Sequence, residues 1–146
     1  MENNYKFKTL ENLEKKIWQE LDADENSYLI VTCNRLRKKP LNDFSIEDLR
    51  IMIGQNIGLD YLIPIATEKL NENILAEGDF YEGDLLNTVL ESNIEYWKNH
   101  KENYSLICDI FQRNESLLKE LDTTWEIKKN WFESFKNFKS INKTNN

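Results

Sequence analysis

NDFSIEDLRIMIGQNIGLDYLIPIATEKLNENILAEGDFYEGDLL, residues 42–86, is helical sequence punctuated by two glycine-bearing interruptions. Ser45 and Asp48 make an S-x-x-D start, a capping box in which Asp replaces the usual Glu. Ile46, Leu49 and Ile53 then share one helical face until the stretch 54–58, which carries Gly54 and Gly58, breaks it. A second helix is expected over residues 61–71. Pro64 belongs in its first turn, because deeper in a helix proline loses a backbone hydrogen bond and clashes with the preceding turn. Residues 73–83 read as a loop containing Gly78 and Gly83. A short helix is expected to start at Gly83 or Asp84 and to run through Leu90.

Helical spacing continues on both sides. Upstream, Leu10, Leu13, Ile17 and Leu21 recur at three- and four-residue steps behind Thr9, a suitable N-cap. Residues 26–38 present Leu29, Cys33 and Leu36 on one face and stop before Pro40. The β-branched content of YLIVTC leaves helix and strand both open there. Downstream, Tyr104, Cys108, Phe111, Leu118 and Leu121 form one stripe, and Ile127, Trp131, Phe135 and Phe138 another. Thr123 and Glu126 suggest a capping box between them, and two antiparallel helices joined near Asp122 are the simplest arrangement. Trp125 is expected in the core with Trp131, Phe135 and Phe138. The expected fold is all-α, a single compact domain of six or seven helices over residues 1–139, with a polar, disordered tail over 140–146. A length of 146 residues suffices to bury roughly 70% of the unfolded surface. Four Gly and two Pro are few for an all-β chain with many tight turns.

Charge is concentrated in one region. Between Glu68 and Glu95 lie eight acids and one base, Lys69, a local balance of −7 that equals the net charge of the whole chain. Bulk nucleic-acid binding is disfavoured by this acidity. The two basic runs, Arg35, Arg37, Lys38, Lys39 and Lys128, Lys129, Lys136, Lys139, read as solvated helix faces. Arg50 is expected to form an internal ion pair. A single histidine, His100, in a polar helix-end context, reads as a solvated surface residue and rules out multi-histidine metal sites. Phosphate loops, nucleophile elbows and dinucleotide fingerprints are missing, so no catalytic residue and no cofactor is expected. Neither a membrane-spanning run nor an apolar leader is present. Cys33 and Cys108 read as buried free thiols, and a cytoplasmic location is expected. Glu77, Asp79, Glu82 and Asp84 leave three uses open: a solvated loop in which Asp84 caps a helix, a surface for a protein partner, or a hard-cation or acid–base site. The last departs from the EF-hand pattern, and no metal is expected.

Residues 40–86 also resemble the contact-dependent growth inhibition (CDI) immunity protein family. The features that carry the likeness are Pro40-Leu41, Asp48-Leu49-Arg50, Ile53-Gly54-Gln55, Ile57-Gly58-Leu59, Pro64 and the loop from Leu75 to Leu86. Leu10 to Trp18 and Tyr96-Trp97 extend it to about residues 10–100. The resemblance implies a cytoplasmic, non-catalytic protein that binds the C-terminal effector domain of a cognate toxin, often a nuclease, and touches neither nucleic acid nor membrane. Under it, Glu68, Glu72, Glu77, Asp79, Phe80, Tyr81, Glu82 and Asp84 become the candidate toxin-binding residues. Arg50, Gly54, Gln55, Gly58, Tyr61, Pro64, Gly78 and Gly83 become a set that fixes the fold. A helical scaffold or adaptor for some other protein is the competing reading.

Overall fold

Local caps set most of the helix starts. In the computed structural model, which describes residues 3–142, the Thr9 hydroxyl accepts from the Asn12 backbone N–H and opens α1, Leu10–Glu14. Ser27 does the same for α2, Tyr28–Leu36, which resolves the helix–strand ambiguity of YLIVTC. The capping box of Ser45 and Asp48 is present and starts α3, Ile46–Gly54. Then follow α4, Leu59–Glu72; α5, Asp84–Leu90; α6, Ile94–Asn99; α7, Lys101–Arg113; α8, Glu115–Glu120; and α9, Trp125–Ser140. Two short 3-10 helices, Asn3–Phe7 and Leu41–Asp43, precede α3, and no strand occurs among the described residues.

Among the described residues nine α-helices therefore stand where six or seven were expected, and the differences have local causes. The run from Leu10 to Leu21 is not one helix: Lys15 takes a left-handed conformation (φ 57°) and ends α1, so Ile17 and Leu21 leave the stripe. The C-terminal pair is three helices, because the chain breaks at Asn114, whose side-chain amide donates back to the Ile110 carbonyl. The cap of α9 is Thr124, accepting from the Ile127 N–H, rather than a box of Thr123 with Glu126. Pro64 sits in the second turn of α4, not the first, since Gly58 at φ 64° starts that helix earlier than expected. Only the Asp60 carbonyl loses its helical donor, and Asp60 is exposed to solvent.

α3 lies at the centre, packed against α2, α4 and α5; α9 covers α5, and α7 lies on α4. Trp97, Phe111, Trp131 and Phe138 are fully buried. Phe111 stacks on Phe135 at 3.8 Å between centroids, and Trp97 meets Phe138 edge-on at 4.8 Å. Trp125 departs from the expected core: it begins α9 and is 69% exposed, with the Lys129 ammonium over its ring. His100 is likewise not freely solvated. Its ring stacks on Tyr96, Nδ1 donates to the Tyr96 carbonyl at 2.7 Å, and Nε2 lies 3.5 Å from Asp60. The basic run near residue 37 is also engaged. Lys38 binds Glu11 and the Trp18 carbonyl, Lys39 binds Asp48, and Arg37 stacks on the Trp18 ring. Of the tail, Ser140 closes α9 and the Asn142 amide reaches the Trp97 carbonyl; residues 143–146 lie outside the described residues.

Candidate functional site

The acid-rich loop is built between the end of α4 and the start of α5. After Glu72 the chain turns at Asn73, whose side-chain oxygen accepts from the Leu75 N–H, and buried Ile74 and Ala76 pin the next residues to the core. The Gly83 N–H donates to the Leu75 carbonyl and closes the loop. Gly83 takes φ 86°, a conformation that costs a side-chain-bearing residue about 1–2 kcal/mol. A Cβ there would stand 2.4 Å from the Trp131 ring, so glycine is required twice over. Trp131 Nε1 donates to the Gly83 carbonyl at 3.1 Å and ties the loop to α9.

Asp84 organises the interior of this loop. It is 3% exposed, and its carboxylate accepts from the backbone N–H groups of Gly78 at 2.7 Å and Phe80 at 3.1 Å, with Tyr81 N–H at 3.5 Å. Arg50 Nε lies 3.9 Å away, but the guanidinium mainly grips Glu47, with Nε to Oε1 at 2.6 Å and Nη2 to Oε2 at 2.5 Å. The internal ion pair expected for Arg50 is thus made with Glu47, and it is linked to the loop because Glu47 Oε1 also accepts from the Asp79 N–H at 2.9 Å. The Arg50 guanidinium holds the Glu47 carboxyl below the ordinary range, and that same hydrogen bond raises the Arg50 pKa. Gly78 runs so close to this network that a Cβ would approach Glu47 Oε1 to 2.5 Å and Asp84 Oδ2 to 3.1 Å.

On this frame the outward residues are Glu77, Asp79, Phe80 and Glu82, with Glu72 at the adjacent end of α4. Phe80 is 70% exposed, and the Arg50 guanidinium, 4.3 Å from the ring centroid, covers one face. Tyr81 is half-buried, and burial raises its phenol pKa. Glu68 is exposed but paired with Lys6 at 2.8 Å. The structure therefore leaves five of the eight candidate residues exposed in and beside the loop, turns Asp84 inward, and joins Glu68 to the N-terminal segment.

The other set divides similarly. Gly58 (φ 64°) has Leu10 against it, within 2.8 Å of where a Cβ would stand. Gly54, by contrast, leaves room, since a Cβ would meet Thr88 at an ordinary 3.6 Å. Tyr61 is half-buried near Tyr5, whose hydroxyl donates to its carbonyl. Gln55 caps α3 and is exposed at the edge of an apolar groove. Sequence reasoning did not single out Glu47, and it placed Trp131 in the core, where it lies, without marking it as a partner of the loop. The three-residue spacing of Glu47 and Arg50 was a usable signal for the first; nothing local marks the second as a loop contact.

Among the described residues no three acids, cysteines or histidines converge as a metal site, and no helix is long and apolar enough to cross a membrane. A protein-family model described as CDI immunity proteins matches residues 12–107. That span runs from α1 into α7 and includes the whole loop, while α8 and α9 lie beyond it. No curated protein matches the chain.

Proposed function

This chain belongs to the family of CDI immunity proteins, and from that premise we propose that it binds the C-terminal effector domain of a cognate toxin and blocks it without catalysis. The supporting observation is the pre-set loop: Asp84 and Glu47 hold its backbone, so Glu77, Asp79, Glu82 and Phe80 face solvent in a fixed arrangement. Preorganisation lowers the ordering cost of binding. A nuclease effector, which must grip phosphate, presents a basic surface that this acidic face complements in sign, raising the association rate. Phe80, exposed beside the acids, supplies an aromatic anchor of the kind that often dominates interface energy. A standard interface would bury roughly 1,600 Å² in total. The reading needs no cofactor, metal, nucleic acid or membrane. It sits in the cytoplasm, where the free thiols of Cys33 and Cys108, each pushed up by burial, are at home.

The test is co-purification with the effector domain encoded beside this chain, followed by titration at low and high salt and a cell-rescue assay. Tight binding, rescue and a strong salt dependence are expected. Reversing Glu77, Asp79 and Glu82 to lysine together should weaken binding at least about tenfold at low salt and flatten the salt dependence. Unchanged affinity and salt dependence in that variant would defeat the acidic-face reading. No binding at either salt would return the helical-adaptor reading.

A further inference from the structure

At the opposite end of α3 from the loop, a groove of about 510 Å³ opens between the irregular segment after α1, the outer side of α2 and the turn into α4. Ile17, Leu21, Leu29, Ile30 and Ile57 line it, with Gln55 at one edge. Ile17 is 84% exposed and Ile30 51%. Contiguous exposed apolar surface of this kind marks a contact site more often than chance placement.

The groove is held open by specific bonds. Its floor is Arg37 stacked on Trp18 at 3.8 Å. Its outer wall is fastened by Trp18 N–H donating to Glu11 Oε2 at 2.8 Å, Lys38 Nζ donating to the Trp18 carbonyl at 2.6 Å, and the Asn34 amide donating to the Gln19 carbonyl at 3.3 Å. The chain segment continuing from that wall carries four exposed acids, Glu20, Asp22, Asp24 and Glu25, with no base before Arg35. Of the bases near the groove, Lys16 lies over the Trp18 ring, Arg37 bonds Asn34, and Lys38 binds Glu11, while Lys15 is exposed at the end of α1. Glu20 and Asp22 flank the lining residue Leu21 in the chain and give the apolar trough an acidic rim on that side, which fits apolar side chains flanked by lysine or arginine. A second copy of this chain fits poorly, since a two-fold contact would bring acidic rim against acidic rim.

We propose that this groove is a second contact surface for the toxin domain, receiving a segment with two or three apolar side chains between basic residues. The inference rests on the immunity reading. Glu47 at the loop and Gln55 at the groove are eight residues apart on α3, about 12 Å along its axis. One standard interface, about 800 Å² on each partner, can cover both.

The test is titration of the full chain with the effector domain encoded beside it, comparing wild type with Ile17→Asp/Ile30→Asp. Both positions are exposed, so the melting temperature should be retained. Affinity should fall at least about tenfold with the salt dependence kept, unlike the loop reversal. In unmodified protein, the amides of residues 17–21 should gain hydrogen-exchange protection on binding, a readout that needs no variant. If the wild type binds and rescues while the double variant binds equally and these amides stay unprotected, the groove proposal is wrong and the immunity reading survives. If the wild type neither binds nor rescues, both fail. If light scattering shows a dimer that Ile30→Asp dissolves, the groove belongs to a second copy and the proposal is overturned.

Discussion

A buried carboxylate must find donors, and Asp84 finds them in the backbone of its own loop. Counting charges along the chain groups it with Glu77, Asp79 and Glu82, because a tally of acids carries no direction. The fold separates them: three acids face outward, and the fourth sets the curvature of the segment that displays them. Asp84→Ala should cost about 2–4 kcal/mol, as the Gly78 and Phe80 N–H groups lose a charged acceptor. Chemical denaturation would measure it, and a change near zero would show that the loop closes without Asp84. Glu47 permits a test by pH. The Arg50 hydrogen bond lowers its folded pKa beneath the ordinary 4.5, so its stabilisation is fully present above that value and is lost as pH falls through the lower folded value. The gap in melting temperature between wild type and Glu47→Gln should therefore be widest at neutral pH and should close on acidification below 4.5. A gap independent of pH would mean that the Glu47 charge does not matter.

At the scale of elements, the capped starts of α1 and α3 were readable, whereas the Ser27 and Thr124 caps and the ends set by tertiary contact were not. Ser45 and Asp48 bond across three residues, so α3 begins where its sequence says. The end of α1 turns on Lys15 going left-handed, with Leu10 seated against Gly58 across the fold, and apolar spacing continues past that point as though the helix did. The α5–α9 contact shows the same limit. Gly83 reads locally as a turn glycine, yet its lack of a side chain is also what admits the Trp131 ring. Gly83→Ala should destabilise the protein by at least about 2 kcal/mol, from left-handed strain plus displacement of Trp131. Trp131→Ala should cost about 3–5 kcal/mol. The double variant should cost less than the sum, because both changes disrupt one contact. Thermal or denaturant melts of the three variants form the cycle, and strict additivity would refute a shared contact.

Across the whole molecule, the family-matched span 12–107 does not contain its own cover. Trp131, Phe135 and Phe138 of α9 complete the core over α5, Trp97 and Phe111. A chain ending at Arg113 should therefore lose cooperative unfolding and leave the acidic loop without its Trp131 anchor; a sharp thermal transition in that fragment would contradict this. The sequence by itself determined the helical class, the capped starts of α1 and α3, the family likeness, and a loop rich in acids between α4 and α5. Those features are carried by residues a few positions apart, through N–H groups, periodic apolar side chains and glycines whose effect is local. Only the tertiary structure decided which acids face solvent, how the Glu47–Arg50 pair is tied to the loop, and how an apolar groove stays open beside α2. Those outcomes depend on contacts such as Asp79 to Glu47, 32 residues apart, and Trp131 to Gly83, 48 apart. Partners at that separation are selected by how the helices pack, and no local pattern in the chain encodes them.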